Sequence, residues 1–87
     1  DAGDAPNVTI FPNPCTHEVT VSVENCISSY LQIELFDLLG KKLNEWSFGE
    51  SSSVFEAQLN IENLPPSVYI LKISGSCGVM VFKLEKN

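Results

Sequence analysis

Alternating apolar and polar positions run through the middle of the chain and determine its predicted secondary structure. Between Glu18 and Glu24 a valine falls on every second residue, and from Leu31 to Leu35 apolar residues again alternate with polar ones. A period of two is typical of half-buried strands, because successive side chains of a strand point to opposite faces. We therefore predict a strand in each segment.

The other apolar runs are rich in β-branched or aromatic residues and are separated by Gly, Pro, Ser or Asn, which favours strands joined by turns. They are Thr9 to Phe11, Lys42 to Phe48, Val54 to Leu59, Val68 to Ser74 and Val79 to Leu84. The chain shows no sustained helical stripe and no gap long enough for a helical crossover, so neighbouring strands should be antiparallel. The pattern predicts an all-β fold, namely a single small antiparallel β-sandwich, immunoglobulin-like, with about seven strands.

Length and composition limit the domain organisation. A chain of 87 residues buries roughly 60 to 65% of its unfolded surface, enough for one core. Its 44% hydrophobic and 18% charged residues argue against disorder. The opening segment is small, acidic and closed by Pro6, a linker composition. We interpret residues 1–7 as a linker from an upstream domain and residues 8–87 as the sandwich.

Charge disfavours two classes of partner. The net charge is -6, with five lysines and no arginine, whereas nucleic-acid binding needs a cationic surface. An anionic bilayer would also repel the chain, and no apolar run approaches the roughly 18 to 20 residues that span a membrane. We expect neither nucleic-acid binding nor membrane insertion.

The inventory of reactive residues does not favour catalysis. His17 is the only histidine and lies beside Glu18 just after a proline turn, where a solvated loop histidine is expected rather than a member of a catalytic triad. The acidic residues lack the spacing of a calcium loop, zinc-ligand spacing is missing, and so is a glycine-rich phosphate loop. We therefore predict no enzyme activity, no metal and no cofactor.

Three cysteines, Cys15, Cys26 and Cys77, permit a disulfide. If consecutive strands reverse direction, Cys15 lies at one end of the sandwich and the other two at the opposite end. The strand from Glu18 to Glu24 advances roughly 20 Å, which disfavours pairing Cys15 with Cys26. Any intramolecular bridge is expected to join Cys26 to Cys77, and three reduced cysteines are the alternative.

Three turn-forming segments lie in a fixed order between the strands, and each has a structural interpretation. Pro12, Asn13 and Pro14 would end the first strand, because proline lacks the N–H that a ladder needs. The segment from Asp37 to Gly40 is typical of a hairpin loop. Leu64 and Pro65 would form a stiff entry to a strand in which Tyr69 buries its ring and keeps its hydroxyl bonded.

This order of motifs resembles the C-terminal sorting domain of type IX secretion cargo, and the resemblance runs from about Val8 to Lys86. That family has an aromatic-Pro-Asn-Pro box, an aspartate-to-glycine hairpin, a Leu-Pro-x-Gly-Val-Tyr-Ile element and a final lysine-bearing strand. Here Ser67 stands where the pattern usually has glycine.

In the resembled family the closing segment is part of what the export machinery recognises. The matching positions here are Val81, Phe82, Lys83, Leu84 and Lys86. An edge strand could pair with a partner by β-augmentation while its lysines attract acidic groups of that partner. The alternative is that edge lysines only deter aggregation.

The resemblance implies a sorting signal that directs an upstream cargo domain across the outer membrane of a Bacteroidota-type bacterium. The implied partners are the type IX translocon and a sortase-like peptidase that removes the domain near residues 1–7. The implied location is the periplasm in transit, then the cell surface or the medium.

A binding module for carbohydrate or protein at the surface or in the periplasm is the main alternative. Exposed aromatic rings on one face would favour it, and Trp46, Phe48 and Phe55 are the candidates. Trp46 and Phe48 should share a face, which could equally be the core face. A stand-alone periplasmic structural domain is a further possibility.

Overall fold

The computed structural model describes residues 6–26, 30–49 and 54–87, and all regular structure in these ranges is β-strand. These ranges contain seven strands, and their positions match the predicted apolar runs to within a few residues. They are β1 (Asn7–Phe11), β2 (Glu18–Glu24), β3 (Leu31–Phe36), β4 (Lys42–Phe48), β5 (Val54–Asn60), β6 (Ser67–Gly75) and β7 (Gly78–Lys86). The predicted all-β class and the number of strands are confirmed.

The strands form two antiparallel sheets. One sheet has three strands in the order β1-β2-β5, and the other has four in the order β4-β3-β6-β7. Every pairing between named strands is antiparallel, as the short connections predict. The architecture is compatible with a small immunoglobulin-like sandwich.

Alternation along the strands places the core between the sheets. Val19, Val21 and Val23 are fully buried on β2, and their polar neighbours face outward. The same parity holds on β3 and along most of β6, where every second residue is buried. The largest buried side chains of the two sheets include Ile33, Leu35, Leu59, Leu71, Ile73 and Leu84. The one-sided burial predicted from the period of two is therefore present.

The hairpin between β3 and β4 is organised by Asp37. Its carboxylate accepts hydrogen bonds from the amides of Leu39 and Lys41, both at 2.9 Å, and its carbonyl accepts one from the amide of Gly40 at 3.1 Å. Gly40 has a φ of +90°, a conformation that glycine adopts without a steric penalty. The aspartate and the glycine thus have the turn roles that the sequence predicts for them.

The disulfide fixes the end of the sandwich opposite this hairpin. Cys26 follows β2 and Cys77 lies in the tight turn between β6 and β7, and the two form a disulfide with a Cα–Cα distance of 6.1 Å. Cys15 is buried and reduced. The bridge joins the three-stranded sheet to the hairpin that leads into β7.

Strand β1 begins at Asn7, the last residue of the proposed linker, and the division into linker and sandwich stays a prediction. Residues 1–5 of that linker lie outside the described residues. Within the described ranges, the structure contains no helix long and apolar enough to cross a membrane.

Candidate recognition site at the closing strand

The last strand, β7, is an edge strand of the four-stranded sheet. It pairs with β6 along its whole length, from Gly78 opposite Gly75 to Lys86 opposite Ser67. Its other edge has one bridge to the rest of the described chain, a parallel contact between Cys15 and Lys86. An edge of this kind presents backbone N–H and C=O groups that a further strand can bind.

The Pro-Asn-Pro segment occupies the C-terminal half of this edge. The Asn13 side-chain amide donates to the Lys83 carbonyl at 3.1 Å, and its oxygen accepts from the Glu85 amide at 2.9 Å. The Cys15 amide donates to the Glu85 carbonyl and its carbonyl accepts from the Asn87 amide, both at 2.9 Å. The Asn13 side chain thus takes the place of a peptide group in a neighbouring strand.

The N-terminal half of the same edge is open. The bonds to Asn13 and Cys15 show that residues 83 and 85 direct their backbone groups away from β6, and alternation gives Val79 and Val81 the same direction. No described residue pairs with the edge at these two valines. The open segment therefore runs from Val79 to the amide of Lys83.

Side chains on β7 divide by the same parity. Val79 and Val81 are each 60% exposed, and Lys83 is also exposed on the outer face. Phe82 is partly buried against the core and Leu84 is completely buried. Of the five positions matched to the closing segment of the family, Val81 and Lys83 can touch a partner without rearrangement.

The terminal lysine, Lys86, has its ammonium group inside the domain. The residue is only 8% exposed, and its Nζ donates to the carbonyl of Leu64 at 2.6 Å and to that of Glu62 at 3.4 Å. These carbonyls belong to the turn between β5 and β6. Lys83 and Lys86 are three residues apart, yet Lys83 is exposed to solvent and Lys86 is buried.

The Leu-Pro motif lies at this same turn. Tyr69 is 3% exposed, and its hydroxyl donates to the carbonyl of Pro65, so the ring is buried and the hydroxyl bonded as predicted. The Leu64 amide donates to the Ile61 carbonyl at 3.1 Å. The early, third and closing motifs thus meet at one end of the sandwich, where they hold β7 in place.

Charge is distributed unevenly between the two outer faces. The outer face of the three-stranded sheet carries three glutamates and no lysine among its described positions, namely Glu18, Glu24 and Glu56. The outer face of the four-stranded sheet carries both signs, namely Lys42, Lys72, Lys83, Glu34, Glu45 and Glu85. The cationic groups available to a partner are therefore concentrated on the sheet that contains β7.

Some of these charges are already paired. The Lys42 ammonium group lies 2.6 Å from a Glu45 carboxylate oxygen and 3.3 Å from a Glu34 oxygen, and Lys72 lies 3.9 Å from Glu34. Hydrogen bonds to Glu45 and Glu34 raise the pKa of Lys42, and the bond from Lys42 lowers the pKa of Glu45. Lys83 forms no ion pair with any described residue.

The aromatic rings that favoured a binding platform pack against the core. Trp46, Phe48 and Phe55 are partly buried there, and the rings of Phe48 and Phe55 meet edge to face with centroids 5.0 Å apart. A stacking platform would present its rings to solvent on one face, whereas these three pack against the core. This arrangement gives the carbohydrate-binding alternative no support.

Elements of a catalytic or metal site do not come together in the described residues. His17 is exposed in the loop before β2, where its backbone carbonyl accepts from the Ile61 amide at 2.9 Å. Within residues 6–26, 30–49 and 54–87 we find no cavity and no group of His, Cys, Asp or Glu that could hold a metal ion. The fold and the open edge define a small β-sandwich with an exposed strand edge.

Comparison with known protein families shows to which family this β-sandwich belongs. Residues 9–87 match the family described as the secretion system C-terminal sorting domain, and the chain belongs to this family, whose members are the sorting signals of type IX secretion. A search of curated proteins finds no match. Membership implies attachment to a cargo polypeptide, interaction with the type IX machinery and delivery of the cargo to the cell surface or the exterior in Bacteroidota.

Sequence reasoning missed two features of this site. Val79 is as exposed as Val81, and only the register of β7 reveals that both belong to the open edge. The contact of Asn13 with β7 joins residues 70 and 72 positions apart. Polar Asn13 between two prolines is a weak signal that its amide has a long-range role.

Proposed function

We propose that the type IX machinery binds this domain by adding a strand to the open edge of β7. The observation that carries the proposal is that Val79 and Val81 combine exposed apolar side chains with backbone groups that no described residue pairs with. Backbone hydrogen bonds would supply affinity, and side chains at alternate positions would supply specificity. Lys83 would attract a carboxylate of the partner.

The other matched residues act by presenting this edge. Phe82 and Leu84 anchor β7 to the core, and Lys86 ties its end to the carbonyls of Leu64 and Glu62. The Asn13 cap would stop an added strand at Lys83, because the Glu85 amide already has a partner. The address is thus a short edge segment held in a fixed geometry by the whole domain.

The steps that follow recognition belong to the partners. In this proposal the domain passes through the periplasm with its cargo, leads the folded cargo across the outer membrane, and is removed by a sortase-like peptidase on its N-terminal side. Residues 1–7 would contain or adjoin the cut, and the cargo would then be released or joined to surface lipopolysaccharide. The domain itself acts as a signal and not as a catalyst.

An export assay tests whether the closing segment of this domain carries the sorting signal. A signal peptide and a folded reporter are fused to residues 1–87 and expressed in a host with the type IX machinery, beside the same fusion lacking residues 83–87. Reporter is measured in the medium and on the cell surface. Export and loss of the domain by the full fusion alone are expected, and retention of both fusions in the periplasm, or equal export of both, would contradict the proposal.

A proline at position 81 tests the edge itself. The Val81 amide points away from β6, so Val81→Pro removes a donor from the open edge while β6–β7 bonding is kept, and proline is tolerated at such edge positions. Val81→Thr is the matched control, since it keeps both the amide and the β-branched shape. Loss of export by the proline variant alone is expected. Each variant should be folded, as shown by a single cooperative unfolding transition. If the folded proline variant is exported normally, strand addition is wrong even though the sorting role stands.

A further inference from the structure

The tip of the β3–β4 hairpin displays two leucines to solvent. Leu38 is 64% exposed and Leu39 is 94% exposed, the highest values of any large apolar side chain among the described residues. Leu38 and Leu39 thus form an exposed apolar point outside the buried core cluster. Adjacent exposed apolar side chains of this kind are a candidate contact point for a partner.

The hairpin holds these leucines in a preformed geometry. The Asp37 amide donates to the Lys41 carbonyl at 3.0 Å, and the Asp37 carboxylate accepts from the amides of Leu39 and Lys41. Because the backbone is already ordered, burying the leucines in a partner costs little further conformational entropy. The tip is therefore suited to act as an anchor.

The tip lies at the same end of the sandwich as the closing residues of β7. Phe36, at the base of the hairpin, pairs with Ile70, which pairs with Lys83. The disulfide and Asn7 lie at the opposite end, since Asn7 pairs with Glu24 just before Cys26. In the order β4-β3-β6-β7 the hairpin is separated from β7 by β6, so a partner must span this end of the sheet to contact both Lys83 and the hairpin.

Local charge indicates the kind of partner. Lys42 is already paired with Glu34 and Glu45, whereas Lys41 beside the leucines forms no ion pair with any described residue. The net charge of -6 opposes docking on an extended anionic surface such as a bilayer, whereas a single carboxylate beside Lys41 would be a local contact. The chemistry that fits is an apolar pocket with a carboxylate at its rim.

We propose that Leu38 and Leu39 insert into an apolar, acid-rimmed pocket of a protein of the export machinery, as a second anchor separate from the edge of β7. The inference rests on the proposed sorting function, because it takes that machinery as the partner. Each leucine that is buried on docking contributes about tenfold or more to affinity. Lys41 orients the tip toward the acidic rim.

Substitutions at the tip test the inference in the same reporter fusion. The double variant Leu38→Ser, Leu39→Ser removes the apolar anchor, and Leu38→Met, Leu39→Met retains it. We expect at least a tenfold loss of export rate for the serine variant and near-normal export for the methionine variant, with the melting temperature of both unchanged. Normal export of the serine variant would overturn the inference.

Three further outcomes would contradict the proposal that the leucines bind a protein pocket, and each is distinguishable from the others. Leucine-dependent flotation of the purified domain with vesicles of phosphatidylethanolamine and phosphatidylglycerol would replace the pocket by a lipid surface. A leucine-dependent dimer in light scattering would replace it by a second copy of the chain. Failure of the unsubstituted fusion to leave the cell would instead contradict the sorting function itself, which separates the two proposals.

Discussion

Lys86 and Lys83 form a natural pair for testing which terminal lysine stabilises the fold. They are three residues apart on β7, yet Lys86 is 8% exposed with its ammonium group bonded to the Leu64 carbonyl at 2.6 Å, and Lys83 is exposed on the outer face. Methionine at either position keeps most of the aliphatic stem and removes the charge. The perturbation is therefore Lys86→Met, with Lys83→Met as its control.

The structure sets the size of the expected effect. A hydrogen bond to a charged group contributes about 1.5 to 3 kcal/mol to stability, and we count only the 2.6 Å bond, because the 3.4 Å bond to Glu62 lies at the limit of useful geometry. Lys86→Met should lower the free energy of unfolding by about that amount. A domain of 87 residues has a total of about 4 to 13 kcal/mol, so the loss is large. Lys83→Met should stay within about 0.5 kcal/mol.

Urea unfolding followed by the fluorescence of Trp46, the single tryptophan, measures both variants. The expected result is a lower midpoint with an unchanged slope for Lys86→Met, and a midpoint near that of the unsubstituted chain for Lys83→Met. The reasoning fails if Lys86→Met is neutral or stabilising. That outcome would mean that the cost of burying the ammonium group exceeds the gain from its bonds to carbonyls.

Three other perturbations have defined outcomes. Reducing the Cys26–Cys77 bridge, which spans 51 residues, should lower stability by about 4 kcal/mol from loop entropy; equal urea midpoints with and without reductant would refute this. Asn13→Ala removes the partner of the Glu85 amide and the Lys83 carbonyl. Because both groups are exposed to water, the cost should be about 0.5 to 1.5 kcal/mol per bond, with faster amide exchange at Glu85. Unchanged exchange at Glu85 would contradict the cap. Burial raises the pKa of the Cys15 thiol above its ordinary value of 9.0, so this thiol ionises at a lower pH in the unfolded chain than in the folded one. The free energy of unfolding should therefore fall as the pH rises through about 9. A free energy of unfolding that is as flat in this pH range as that of Cys15→Ser would argue against the prediction.

The fold could be predicted because each strand has a local signal in the sequence. The valines of β2 and the apolar residues of β3 alternate without interruption, and strand parity alone then assigns each side chain to a face. The hairpin between β3 and β4 was also predictable, since Asp37 and Gly40 are turn residues with specific backbone roles. The order of strands in each sheet required the structure, because pairing between distant strands has no local signal.

The candidate site was less accessible to sequence reasoning. The closing strand reads as a lysine-bearing edge, but the register places Lys83 outside and Lys86 inside, and a shift of one residue would exchange them. The cap by Asn13 depends on two segments that are 70 residues apart. Terminal lysines therefore indicate the region of the site, while its geometry comes from tertiary structure.

The arrangement of the two ends bears on how a cargo could be carried. Asn7, where β1 begins, lies at the disulfide end, whereas Lys83, Lys86 and the leucine tip lie toward the other. Nine residues of β7 span about 26 Å at 3.3 Å per step, so a polypeptide attached before Asn7 would emerge well away from the closing residues. A folded cargo would therefore leave Lys83, Lys86 and the leucine tip clear, whereas the open edge at Val79 and Val81 follows the disulfide-bonded Cys77 and lies at the cargo end. Binding to the proposed edge then requires that the sandwich stay intact. The disulfide, the Asn13 cap and the buried Lys86 all serve that condition, because each holds β7 in the position from which its edge can be recognised.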